Sequence, residues 1–102
     1  MERIYVTYRA RSKEEFERWS RERDQPVVRA QPAVLSFDIY MVEDADSRVE
    51  GGPGFDVIEE ITVTSWDDFQ HMLGSEPMKE LGDEWRAVAD AGTSSTLRMR
   101  KV

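Results

Sequence analysis

Apolar and polar positions alternate with a period of two in three stretches of the chain. Ile4, Val6 and Tyr8 alternate with Tyr5, Thr7 and Arg9, and Leu35, Phe37, Ile39 and Met41 alternate with Ser36, Asp38 and Tyr40. Phe55, Val57, Glu59, Ile61 and Val63 hold the odd positions of a third stretch. Successive side chains of a strand point to opposite faces, so each stretch predicts a strand with one apolar side. A fourth strand is predicted from Thr93 to Lys101, where Leu97 and Met99 alternate among Thr and Ser.

Between these strands the spacing turns helical. Ser12-Lys13-Glu14-Glu15 has the form of a capping box. The helix it opens buries Phe16, Trp19 and the stem of Arg23, and Pro26 breaks or restarts it. Ser65 caps a short helix with Trp66, Phe69 and Leu73 on one side, which Gly74 ends. Ser75-Glu76-Pro77 opens another helix, whose stripe is Met78, Leu81, Trp85 and Val88 and whose end is Gly92. The polar loop from Glu43 to Gly54 is longer than a tight hairpin needs, so it covers a pocket or reaches a partner. Its Gly51-Gly52-Pro53-Gly54 end is no phosphate loop, because no helix and no lysine follow in register.

The order is β-α-β-β-α-β, an α+β ferredoxin-like plan of four antiparallel strands with both helices on one face, in a single domain spanning residues 1–102. The helices should cover the apolar stripes. The other face would then carry Tyr5, Thr7, Ser36, Asp38, Tyr40, Ile58, Glu60 and Thr62, too apolar for open water and too polar for a core. A second copy packed on that face, giving a homodimer, would account for the mixture.

One residue breaks its stripe. Glu59 stands among Phe55, Val57, Ile61 and Val63 and should lie under the helices. A carboxyl group in apolar surroundings takes up a proton, which is what acid–base catalysis without a cofactor requires. The competing readings are a surface glutamate and a buried acid paired structurally with Arg or Tyr. Tyr8, on the neighbouring strand, could hydrogen-bond Glu59 or a substrate, or simply pack in the core. Val57 and Ile61 flank Glu59 and would dry it and touch a substrate. Trp19, Phe69 and Trp85 on the inner helix faces could stack a flat ring. Arg29 could bind a substrate carboxylate or a local acid. His71, the sole histidine, is a candidate base, although its position opposite Trp66 and Leu73 on the helical wheel favours solvent.

Composition narrows the classes further. The 102 residues carry 21 acidic and 14 basic side chains, a formal charge of −7, which argues against nucleic acid and anionic membranes as partners. There is no cysteine, hence no disulfide, zinc–thiolate site or thiol nucleophile. One histidine excludes a multi-histidine metal site. No apolar run approaches the ~20 residues of a membrane helix, and Glu2 and Arg3 fit no secretory signal, so the cytoplasm is the expected location.

Several stretches resemble a known family. They are Phe16-Glu17-Arg18-Trp19, Asp24-Gln25-Pro26-Val27-Val28-Arg29, Val34-Leu35-Ser36-Phe37, Phe55-Asp56-Val57-Ile58-Glu59 and Asp67-Asp68-Phe69. Together they resemble the RedY-like, HapK-type proteins of the dimeric α/β-barrel superfamily, found in gene clusters for prodiginine and bisindole pigments. The resemblance implies a pocket between helices and sheet, a homodimer, and a cofactor-free cyclisation or condensation of a pyrrole- or indole-type intermediate. It leaves open a cofactor-free monooxygenase or a protein that binds a labile intermediate without converting it. Related cyclases carry histidines where this chain has Ile4, Val57 and the Glu76-Pro77-Met78 helix start, so a histidine mechanism does not transfer.

Overall fold

A computed structural model describes all 102 residues. The elements run β1 (Glu2–Ala10), α1 (Lys13–Trp19), a π-helical turn (Ser20–Asp24), α2 (Gln25–Arg29), β2 (Val34–Met41), β3 (Val57–Val63), α3 (Trp66–Leu73), α4 (Glu76–Val88) and β4 (Ala89–Met99). The four strands form one antiparallel sheet in the order β2-β3-β1-β4, the ferredoxin-like arrangement.

The alternation of the sequence sorts the two faces. Cross-strand pairs such as Ile4↔Ile61, Phe37↔Ile61 and Met41↔Val57 line the helix side, while Tyr5↔Glu60, Asp38↔Glu60 and Tyr40↔Ile58 line the open side. Under the helices the core forms two clusters. One joins Ile4, Phe37, Ile61 and Val63 to Val28 of α2, Phe69 and Met72 of α3 and Leu81 of α4. The other joins Tyr8, Val57, Phe16 and Ala89. Val6, Trp19 and Ile39 touch both.

Four local expectations need correction. Leu35 is not on the helix-covered stripe. The pairing steps from Val34↔Val63 to Ser36↔Thr62, so Leu35 is the extra residue of a β-bulge and lies exposed, while Val34 packs on the core. Phe55 precedes β3, whose first residue is Val57. Gly92 does not end α4: the helix stops at Val88, and Gly92 lies inside β4, where the register against β1 slips between Thr7 and Arg9. On α3 the buried residues are Phe69 and Met72, and Leu73 is 44% exposed.

The first helical segment shows how a proline can restart a helix. Pro26 has no N–H, and its ring would crowd the carbonyl four residues earlier. The turn before it widens, with Gln25 N–H donating to the Ser20 carbonyl five residues back. The widened turn moves the helix face on by one residue. Arg23, the position expected to tuck inward, stays exposed and donates to Glu84 of α4 at 2.9 and 2.8 Å. Asp24 takes the inward position and is 5% exposed.

Candidate functional site

Between the sheet and the helices lies a cavity of about 210 Å³. Its floor is Val6, Tyr8, Phe37, Glu59 and Ile61 of the sheet, and Trp19, Phe69, Met78 and Trp85 are among its helical walls. Twelve of its seventeen lining residues are hydrophobic, so its few polar groups define its chemistry. These are the carboxyl groups of Glu59 and Asp24, the hydroxyls of Ser94 and Thr96, and Tyr8.

Glu59 sits on β3, and Tyr8 lies diagonally across on β1, where Val57 is its direct partner. Tyr8 is fully buried, and its O–H donates to Glu59 Oε2. The Tyr8 ring stands edge-on to Trp85 at 5.1 Å and to Phe16 at 5.7 Å, which fixes its direction. Burial pushes the Glu59 carboxyl up to about 8, the nearby charge of Asp24 adds to the rise, and the Tyr8 hydrogen bond opposes it. The Tyr8 hydroxyl is itself raised, first by burial and then by the charge of Glu59. The surroundings therefore favour the neutral acid form of Glu59, which faces the cavity with one oxygen held by a phenol.

Asp24 enters the same cavity from the helical wall. Burial raises its carboxyl to about 7, against the opposing effects of the Ser20 hydrogen bond and the Arg29 charge. Ser20 Oγ donates to Asp24 Oδ2 at 3.4 Å, and Gln25 Nε2 donates to Ser20 Oγ at 3.3 Å. Helical periodicity does not reveal Asp24, because an uninterrupted helix turns Arg23 inward instead. The available signal is the pair Asp24…Pro26, an acid two residues before a proline that cannot continue a regular turn.

The other candidates divide. Tyr8, Trp19, Glu59, Ile61, Phe69 and Trp85 all line the cavity. Trp19 is further held by its Nε1–H, which donates to Glu84 Oε1 at 3.0 Å. Val57 is fully buried in the second cluster and does not reach the cavity wall. Arg29 also lies outside it: Nε and Nη2 donate to the Phe37 carbonyl at 3.1 and 2.8 Å, and Asp38 is 3.8 Å away, so the fork ties α2 to β2. His71 is exposed and borders a separate polar groove with Asp68, Thr64, Gln31 and Ser75, because its helix turns Phe69 and Met72 toward the core. No group of three or more His, Asp or Glu side chains is placed to hold a metal ion. No helix is long and apolar enough to cross a membrane.

Comparison with known proteins identifies the architecture. The structure is similar to HapK from Hahella chejuensis at 19% identity, with a TM-score of 0.79 over 100% of this chain and 93% of that one. It is similar to the hydroxynitrile lyase from Passiflora edulis at 16% identity, with a TM-score of 0.75 over 99% and 94%. A DABB family protein with a ferredoxin-like fold from Mesorhizobium loti matches at 8% identity, with a TM-score of 0.76 over 99% and 96%. At such identities the likeness is one of fold. Among curated proteins the sequence finds no match. The family model of the REDY-like protein HapK matches residues 3–100, nearly the whole length, and the chain belongs to that family.

Proposed function

We propose that this protein is a cofactor-independent enzyme that cyclises or condenses a pyrrole- or indole-type intermediate of specialised metabolism by acid–base catalysis. The observation that carries this reading is Glu59, a carboxyl group raised by burial and held by Tyr8 at the floor of a largely apolar cavity. Such an acid delivers its proton to an imine or carbonyl where water is scarce, and its conjugate base recovers one afterwards. Trp19, Phe69 and Trp85 give flat surfaces against which an aromatic substrate is held in a reactive conformation, and orientation of that kind is itself catalytic. The size of the cavity suits one compact ring system rather than an extended chain.

A homodimer through the open sheet face belongs to the same reading. Tyr40, Leu97 and Met99 are each more than two-fifths exposed there, around the hydrogen bond from Tyr5 to Glu60. Light scattering at micromolar concentration should give twice the mass of the chain, and a clean monomer would remove the dimer from the proposal.

The reaction class is tested with a tethered indole–imine probe, incubated with the protein under argon and without added cofactor. Cyclisation gives a product of unchanged mass at an enhanced rate. A product that forms only with oxygen, with oxygen consumed, would indicate the monooxygenase of the same fold. Tight binding with unchanged probe would indicate a carrier of the intermediate.

A further inference from the structure

We infer that Asp24 is the second proton carrier of the cavity, so that a ring bound between helices and sheet meets one carboxyl group on each side. The inference rests on the acid–base reading of Glu59 and extends it to a residue of the opposite wall. Glu59 rises from the sheet and Asp24 descends from the π-helical turn, and both line one cavity. A single acid sitting there by accident of packing would be expected to have its oxygens satisfied. The one side-chain hydrogen bond to Asp24 is the long one from Ser20, on Oδ2, and the one to Glu59 is from Tyr8, on Oε2. Each carboxyl group thus keeps an oxygen free for a substrate.

The surroundings divide the labour. From β1 the titratable group near the pair is Tyr8, and from α2 it is Arg29. α3 and α4 present Phe69, Met78 and Trp85, and β4 presents Ser94 and Thr96. Arg29 is the one cation among these, and its charge acts on Asp24, so of the two carboxyl groups Asp24 is the one whose anion a positive charge favours. Glu59 has Asp24 as its charged neighbour, which favours its protonated form, and this assigns it the role of proton donor.

In the cyclisation, the Glu59 O–H bond breaks and its proton joins the imine nitrogen, which takes the C=N π pair. A ring carbon of the heterocycle supplies the pair for the new C–C bond to the imine carbon. The Asp24 carboxylate then takes the proton from that ring carbon, and the released C–H pair restores the aromatic ring. The substrate is isomerised, and one proton has passed from Glu59 to Asp24. Water returns it after the product leaves.

The test uses protein labelled with ¹³C at the Asp and Glu side-chain carboxyl carbons, titrated by NMR as wild type, Asp24→Asn and Glu59→Gln, together with turnover of the tethered indole–imine probe. Removing either charge should lower the titration point of the other carboxyl group. Wild-type turnover should be bell-shaped in pH, and Asp24→Asn should lose about 10²–10⁴-fold in rate. The Asp24→Asn/Glu59→Gln double variant should be little worse than the poorer single one, as befits groups acting as a unit. The wild-type titration and the Glu59→Gln spectra inform on Asp24 even if Asp24→Asn fails to fold. A Glu59 titration unmoved by Asp24→Asn, or turnover within a few-fold of wild type, overturns the inference. A mutual shift without any wild-type turnover of the probe instead retires the acid–base reading of Glu59, and with it the catalytic role of Asp24.

Discussion

The same two strands carry two Tyr–Glu hydrogen bonds, one on each face of the sheet. On the open face Tyr5 donates to Glu60, its direct cross-strand partner. On the helix face Tyr8 donates to Glu59, one diagonal away. The chemistry of the two contacts is identical, and the surroundings differ. Glu59 lies in an apolar cavity beside a second buried carboxyl group, and burial dominates its rise. The Tyr5 hydroxyl is raised chiefly by its bond to Glu60, whereas the Tyr8 hydroxyl is raised chiefly by burial. A phenol bonded to a carboxylate favours the charged form, so the bond alone would leave Glu59 ionised near neutral pH, with no proton to give. What raises the Glu59 carboxyl is its removal from water, for which the helices are needed.

The largest disturbance of this contrast is to open the helical roof. Trp85→Ala removes a ring that packs on Tyr8 and lines the cavity, at an expected loss of about 3 kcal/mol in urea unfolding. The water it admits should bring the Glu59 titration down toward its ordinary value, with Tyr8 still in place. If Glu59 kept its high value in the hydrated cavity, burial would not be the cause. Next in size is removal of the phenol hydroxyls. Tyr8→Phe strips a buried partner from Glu59 and should cost about 1–2 kcal/mol, and it should raise Glu59 further. Tyr5→Phe, on the open face of the isolated protomer, should change stability by less than about 0.5 kcal/mol. Equal costs for both would erase the distinction between the faces.

A smaller effect follows from linkage. Glu59 and Asp24 both bind protons more tightly folded than unfolded. Between the ordinary Glu value of 4.5 and about 8, the folded protein therefore holds more protons than the unfolded chain, and stability falls as pH rises through that window. Glu84 and Asp68, whose values are lowered in the fold, act in the opposite sense and only below it. The urea midpoint of wild type should decline from pH 5 to 8, and Glu59→Gln should make the decline shallower. A midpoint that rises across this range would show that neither carboxyl group is raised. The smallest effect is expected of His71→Ala. Its exposed ring borders a different groove, and turnover should stay within a few-fold of wild type.

Much of this organisation is legible in the sequence. Period-two alternation places Ile4, Val6, Tyr8, Phe37 and Ile61 on the helix side and singles out Glu59, because a regular strand keeps its register. The failures occur where one residue is added to a regular element. The bulge at Leu35 exchanges its place with Val34, and the slipped register of β4 carries Gly92 into the strand. The π-helical turn is the consequential case, since it exchanges Arg23 for Asp24 and hides half of the proposed acid–base pair from a helical wheel. An inserted residue changes no local propensity strongly, so periodicity cannot register it. Pro26 is the local mark it leaves. Stripe position and charge point to Val57 and Arg29 at the site, but depth in the core and a backbone carbonyl claim them instead.

The carboxyl group under the helices, and not its counterpart on the open face of the sheet, is the one that moves the proton. Single-turnover rates of Glu59→Gln and Glu60→Gln on the tethered indole–imine probe test it most directly. Each change keeps the shape of the side chain and removes its exchangeable carboxyl proton. Glu59→Gln should slow the chemical step by about 10²–10⁴-fold while probe binding persists, and Glu60→Gln should stay within a few-fold of wild type. Wild-type rates for folded Glu59→Gln would contradict the account and leave Glu59 a structural acid.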